Sequence, residues 1–241
     1  MLSTTRLQQL IDTKQVFPIR FGGSLWLLDS RAALYWPEQD CLLLADLHFE
    51  KGSYLSQYAS PVPRYDSRAT LRSIAALLAC YQPNRVLCLG DSFHDIHAFD
   101  RFLAEDVAQL NALVLSVKEW IWLEGNHDPQ VPEALDGLRA ESYPLHTQQG
   151  SVIHCRHIPQ DYSGLQIVGH FHPKARFASG KRRFRGKSLV VTDKLMLMPA
   201  LGQYTGGLNI EDEVLTAMAP KSQRQCYVLC EQRVIALPGG N

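Results

Sequence analysis

The 241-residue chain has no net charge, with 24 lysines and arginines against 24 aspartates and glutamates. That balance excludes a molecule that grips nucleic acid by a uniformly basic surface; contact with a polyanion must come from a local patch. Long apolar runs are missing as well. None approaches the ~20 residues that a membrane-spanning helix needs, and residues 1–6 lack a basic segment followed by an apolar core. A cytoplasmic location without membrane association is therefore expected. No internal repeat, low-complexity tract or linker interrupts the chain, so one domain over residues 1–241 is expected. Cysteine is sparse and unpatterned. Cys226 and Cys230 have the wrong spacing for a zinc knuckle and no neighbouring histidine, while Cys41 and Cys88 lie inside apolar runs. All six cysteines are expected to be reduced and structural.

What the chain does have is a regular succession of short apolar runs. Residues 17–21 and 25–28 flank Gly22-Gly23-Ser24 and predict a hairpin, because the glycines permit the positive φ of a tight turn. Runs at 41–45, 85–89 and 120–124 read as strands. Helices are expected over 66–80, where Leu71, Ile74, Leu77 and Leu78 recur at helical spacing, and over 98–117. Further strands are expected at 151–157 and 165–168, with hairpin pairs at 187–191/195–197 and 225–230/233–237. Alternation of strands and helices argues for a largely parallel sheet in the first half. The strand-rich second half argues for another sheet packed on it. Trp120 and Trp122 are expected in the core.

Four clusters stand where these runs end: Asp46-Leu-His48, Gly90-Asp91, Gly125-Asn126-His127-Asp128 and Gly169-His170-Phe-His172. Ligands of α/β sheets gather beyond the carboxyl ends of strands, which is the reason to group them. Singly, each is weak; Asp-x-His is common in solvated loops and Gly-Asp in turns. In this order they supply carboxylate, carboxamide and imidazole donors without thiolate, a set that suits Mn²⁺, Fe or Zn²⁺. A shared carboxylate can hold two such ions ~3.5–4 Å apart, the separation used for in-line displacement at phosphorus. Asp91 is the best candidate bridge, standing alone after a glycine in the middle cluster. Solvent shared by the two ions is then the natural nucleophile.

These residues resemble the signature of the calcineurin-like metallophosphoesterase family over about residues 40–175. The resemblance implies an α/β fold, a four-layer α/β/β/α sandwich of two mixed sheets flanked by helices. It implies one divalent ion on Asp46, His48, Asp91 and His172, and another on Asp91, Asn126, a lone histidine and His170. His127 would then serve the leaving group, with Asp128 orienting it. For the lone histidine the chain offers His154-Cys-Arg-His157-Ile-Pro159. His157 is preferred because it ends its strand as the other ligands do, with His154 as the alternative.

The segments 45–52, 89–95, 169–174 and 197–207 look like those of bacterial ligase-associated DNA damage response endonucleases. That resemblance implies a metal-dependent phosphodiesterase acting on DNA, working with a DNA ligase and a helicase-like repair protein; the expected cofactors are two divalent ions, Mn²⁺ first, with Fe or Zn²⁺ as alternatives. A second reading keeps the metals but takes small nucleotides or phosphoproteins; a third is a non-catalytic repair scaffold. From Lys174 to Lys187 there are seven basic residues and no acidic one. Arg182, Arg183 and Arg185 in this run are candidate phosphate contacts, and Phe177 and Phe184 could stack on a base. An edge hairpin protected by its charges explains the same pattern. Beside Asp91, His94 is expected to approach the substrate phosphate and Asp95 to orient a ligand histidine. His97 is expected at an exposed helix start.

Overall fold

Gly22 and Gly23, with φ of 58° and 82°, form the two-residue turn between β1 (Val16–Phe21) and β2 (Ser24–Asp29). Positive φ at both central positions matches the strand twist, which is why this turn takes glycine. The computed structural model describes residues 3–58, 63, 65–161, 164–179 and 182–238; for residues 58, 179 and 182 it describes the backbone alone.

The first sheet runs in simple sequence order. After β1 and β2 come β3 (Ala33–Trp36), β4 (Cys41–Leu44), β5 (Arg85–Cys88), β6 (Glu119–Leu123) and β7 (Leu138–Ala140). Pairing is antiparallel from β1 to β4 and parallel from β4 to β7. All four residues of β4 are buried, the expected signature of a parallel strand covered on both faces.

The second sheet is ordered β15-β14-β12-β13-β10-β9-β8, with β11 paired on β12. Its strands are β8 (Ser142–His146), β9 (Val152–Arg156), β10 (Leu165–Val168), β11 (Lys174–Ser179), β12 (Arg182–Val191), β13 (Leu195–Leu197), β14 (Gln225–Cys230) and β15 (Arg233–Ala236). This sheet is mixed too, because β10 runs parallel to both β9 and β13 while the other pairs are antiparallel. Helices α1 (Thr4–Asp12), α2 (Lys51–Tyr58), α3 (Asp66–Tyr81), α4 (Ala98–Arg101), α5 (Ala104–Leu115) and α6 (Glu213–Met218) flank the sheets.

Strand alternation divides the core. Ile167, Leu189, Met196 and Tyr227 join the large cluster built around Trp26, Leu43 and Trp122, whereas Val168, Val190, Leu197 and Val228 face the smaller cluster with Leu215 of α6. Successive residues of one strand thus serve two layers. Trp120 and Trp122 are buried as expected, and all six cysteines are free. No helix among the described residues is long and apolar enough to cross a membrane.

One expected element is split. The helix predicted over 98–117 is α4 and α5, separated by extended backbone at Phe102 and Leu103 (ψ of 131° and 140°). The break turns Phe102 inward, where its ring lies 5.2 Å from Phe49 and 6.3 Å from Phe93. Burial of an aromatic side chain outweighs the continuation of one helical turn. β12 also begins five residues before the predicted start, because the basic run is itself strand.

Candidate metal centre

Every cluster lies just beyond a strand end: Asp46 after β4, Asp91 after β5, Asn126 after β6, His157 after β9 and His170 after β10. The backbone there turns sharply. Asp46, His48, Asp91, His170 and His172 all have positive φ, between 45° and 71°. This left-handed conformation is costly for side chains other than glycine, and Asp, Asn and His tolerate it best. It persists here because neighbouring loops hold it. His48 N–H donates to Asp91 O (3.0 Å), Phe49 N–H to Ser92 O (2.9 Å) and Gly202 N–H to Asp46 O (3.1 Å).

Asp46, His48 and His172, all buried, bring one ligand atom each within 4.8 Å of one another. The Nε2 atoms of His48 and His172 are 3.2 Å apart, and Asp46 Oδ1 is 3.3 Å from His172 Nε2. Burial, then the adjacent His172, holds the His48 imidazole far below the ordinary histidine range. It is therefore neutral, the form that ligates a metal.

Asp91, His157 and His170 form a second such group. His157 Nε2 lies 2.8 Å from Asn126 Oδ1, 3.0 Å from His170 Nδ1 and 3.5 Å from Asp91 Oδ1. Its other nitrogen, Nδ1, is 3.3 Å from the Leu89 carbonyl. Donation from Nδ1 to that carbonyl leaves Nε2 with a lone pair, pointed at a carboxamide oxygen and a carboxylate. Converging acceptors of this kind have a common partner in a cation, so the donor set fits a metal ion. Burial, then His157, also lowers the pKa of His170. His154 stays within β9, opposite Gln166, and is outside both groups.

Asp91 stands between the groups. Its Oδ2 is 3.8 Å from His48 Nε2, its Oδ1 is 3.5 Å from His157 Nε2, and Oδ1 also accepts from the His127 backbone N–H at 3.0 Å. Gly125 makes room for this: a Cβ there would come within 2.2 Å of Asp91 Oδ1 and 2.3 Å of Asp91 N. Gly90 does the same for the His157 ring, at 2.5 Å from Nδ1.

Two neighbouring residues, Asp128 and Asp95, have partners other than those expected. Asp128 is buried, and its Oδ2 accepts from the backbone N–H groups of Ser92 (2.7 Å) and Phe93 (3.0 Å), not from the His127 ring. It pins the loop that carries Asp91. Burial outweighs those two donors and, helped by the Asp91 charge, pushes its carboxyl up to about 8. Asp95 accepts from the Arg101 guanidinium at both oxygens and from His97 N–H, and so anchors the start of α4 instead of a ligand histidine. His94 is buried, with Nδ1 at 3.4 Å from His48 Nδ1 and its ring stacked on His127 at 5.1 Å. It braces His48 and packs against His127. His97 is exposed beside Asp100, as expected.

The basic run forms the β11–β12 ribbon. Arg176 pairs with Arg185 and Ala178 with Arg183; Arg182 pairs with Ser179, and its side chain lies outside the described residues. Phe177 and Phe184 stack on each other at 5.1 Å, with Phe177 against the smaller core cluster, so their facing surfaces are closed to a base. Two lysines near the site lie in segments singled out above but were not assigned a role at the metal centre. Lys51 at the start of α2 lies in the field of Asp91 and Asp46, and Lys187 Nζ donates to Leu201 O (3.0 Å) and Gly202 O (2.8 Å) on the loop that holds Asp46.

Two mixed sheets flanked by helices, with two His/Asp groups at the strand ends that can coordinate divalent ions, define a metal-dependent phosphoesterase. The Calcineurin-like phosphoesterase family matches residues 41–192, and the chain belongs to it. Among solved structures, nuclease MPE of Pseudomonas putida is similar at 25% identity and a TM-score of 0.70, over 92% of this chain and 100% of the nuclease. A protein of unknown function from Aquifex aeolicus is similar at 18% identity and a TM-score of 0.40, over 55% of this chain and 78% of that one. Comparison with curated protein sequences yields no significant match.

Proposed function

We propose that this chain is a two-metal phosphodiesterase that cleaves DNA in ligase-associated repair, alongside a DNA ligase and a helicase-like protein. The observation that carries the two-metal reading is the placement of Asp91, with one carboxylate oxygen toward each ligand group. Asp46, His48, Asp91 and His172 would hold one ion, and Asp91, Asn126, His157 and His170 the other. The mixture of carboxylate, carboxamide and imidazole donors suits Mn²⁺, Fe or Zn²⁺, and Mn²⁺ is the ion proposed. Divalent cations held by these residues would supply charge neutralisation at the phosphodiester and would acidify the attacking solvent.

The chain's own residues do the rest. His127 lies half-buried beside the ligand groups, its ring held by stacking on His94 and by an edge contact with His48 at 5.2 Å. From there it gives a proton to the leaving oxygen. Asp128 accepts from the backbone of Ser92 and Phe93 and so ties its own loop to the one that carries Asp91. The DNA assignment is supported by the likeness to a nuclease and by the basic ribbon that starts two residues after His172.

A substrate panel with Mn²⁺ tests the reading: a phosphomonoester, a simple phosphodiester, and nicked, gapped and single-stranded DNA. Cleavage of the diester and of at least one DNA is expected. Turnover of the monoester alone would overturn it.

A further inference from the structure

The β11–β12 ribbon separates its side chains into two unlike faces. Register places Ala175/Gly186 and Phe177/Phe184 on one face, which packs toward the smaller core cluster. The opposite face carries three rungs, Lys174/Lys187, Arg176/Arg185 and Ala178/Arg183. Five cations therefore line one face, and Arg176, Arg183 and Arg185 are exposed on it. β14 pairs with β12 only over residues 187–191, so the outer rungs extend beyond the sheet.

Two rungs set like charges directly opposite each other, an arrangement that destabilises an isolated sheet. Protection of an edge against mispairing needs charge but gains nothing from this opposition. An anion bound along the face offsets it. The inner rung also reaches the metal centre: Lys174 Nζ donates to Thr205 O at 2.6 Å, while Lys187 grips Leu201 and Gly202 beside Asp46. Lys174, Arg185, Lys187, Tyr204 and Thr205 line a cavity of about 240 Å³ at this junction.

Same-face residues of a strand recur every ~6.6–6.8 Å, close to the phosphate-to-phosphate step of an extended polynucleotide strand. We propose that the ribbon binds three successive phosphates of an unpaired DNA strand where it leaves the metal centre, one phosphate at each rung. This rests on the DNA reading above and adds the strandedness of the flank and the length of the track. Contacts to phosphate position the strand without reading its sequence.

The test is equilibrium binding of fluorescein-labelled single-stranded phosphorothioate oligonucleotides, two to eight residues long, to the full metal-loaded chain. Phosphorothioates keep the charge and resist hydrolysis. Affinity should climb with length until the three flanking phosphates are covered and then level off. The slope of log K against log salt should shrink by about 0.7 for each of Arg176→Ala and Arg183→Ala, and Arg176→Lys should restore it. Thermal melts of the variants separate lost contact from lost fold. Unchanged slopes in well-folded variants, or a duplex of equal length bound as tightly, would overturn the proposal. Wild-type turnover of bis(4-nitrophenyl) phosphate with Mn²⁺ reports separately on the metal centre. Its absence would sink the phosphodiesterase reading, while the slopes still decide the ribbon.

Discussion

The backbone N–H of His170 donates to both carboxylate oxygens of Asp46, at 2.9 and 3.0 Å. These residues are 124 positions apart and follow strands of different sheets. The contact ties the end of β4 to the end of β10 and aligns Asp46 beside His172. Asp46→Ala removes a proposed metal ligand and strands a partly buried donor. The variant should lose one of two bound metal equivalents by elemental analysis and about 1–3 kcal/mol of stability by urea unfolding. Retention of both ions would remove Asp46 from the ligand set.

Asp91 faces both groups, so its loss should affect both ions. Asp91→Asn keeps the shape and the acceptor for His127 N–H but removes the shared negative charge. Turnover of a simple phosphodiester should fall by more than ~10²-fold, beyond the 10–100-fold that outer-shell changes cost, with an unchanged circular dichroism spectrum. Near-normal turnover would dismiss the bridge.

His127 is outside both ligand groups, so His127→Ala should leave metal content at the wild-type value. The rate should drop by roughly 10²–10⁴-fold, the range of general acid catalysis, most severely for diesters with poor leaving groups. A uniform loss across leaving groups would argue for a positioning role alone; loss of metal would make it a ligand.

Burial, then the charge of Lys174, pulls Lys187 down to about 8 from an ordinary 10.5. Between those values the unfolded chain binds more protons than the folded one, so stability rises with pH across the window. The cost of burying the ammonium is fully present below about pH 8 and fades as pH climbs toward 10.5. Against Lys187→Met, the wild type should therefore gain at most roughly 2–3 kcal/mol between pH 7.5 and 10.5. Urea midpoints of the two proteins at both pH values measure this, and parallel profiles would contradict it.

Strong local signals made much of the frame legible. The double glycine marked the first hairpin, and short apolar runs marked β4, β5, β6 and β10, since strands buried on both faces leave little else to choose from. α2 was not legible, because Lys51–Tyr58 has only a weak apolar stripe and is held by tertiary contacts; the Ser67 hydroxyl just inside α3 accepts from Glu50 N–H at 2.9 Å, and Asp66 accepts from Gly52 N–H at 2.7 Å. The division of 98–117 was hidden for a related reason. Its apolar residues keep helical spacing, and only the aromatic pocket of Phe49 and Phe93 shows why Phe102 leaves the helix.

By itself the sequence determined the inventory of the site: the donor types, their order, and their placement after strands, because ligand chemistry and strand periodicity are both local properties of the chain. Tertiary structure alone decided how that inventory divides. It brought Asp46, His48 and His172 together from segments over a hundred residues apart and set His157, which the sequence already favoured over His154, beside Asp91 and His170. It moved Asp128 from the His127 ring to the backbone of Ser92 and Phe93, and Asp95 to Arg101. It also sorted a featureless basic run into one cationic and one aromatic face. The reason is physical: which acceptor meets which donor depends on loop paths and sheet register, and those are settled only when the two sheets pack on a common core.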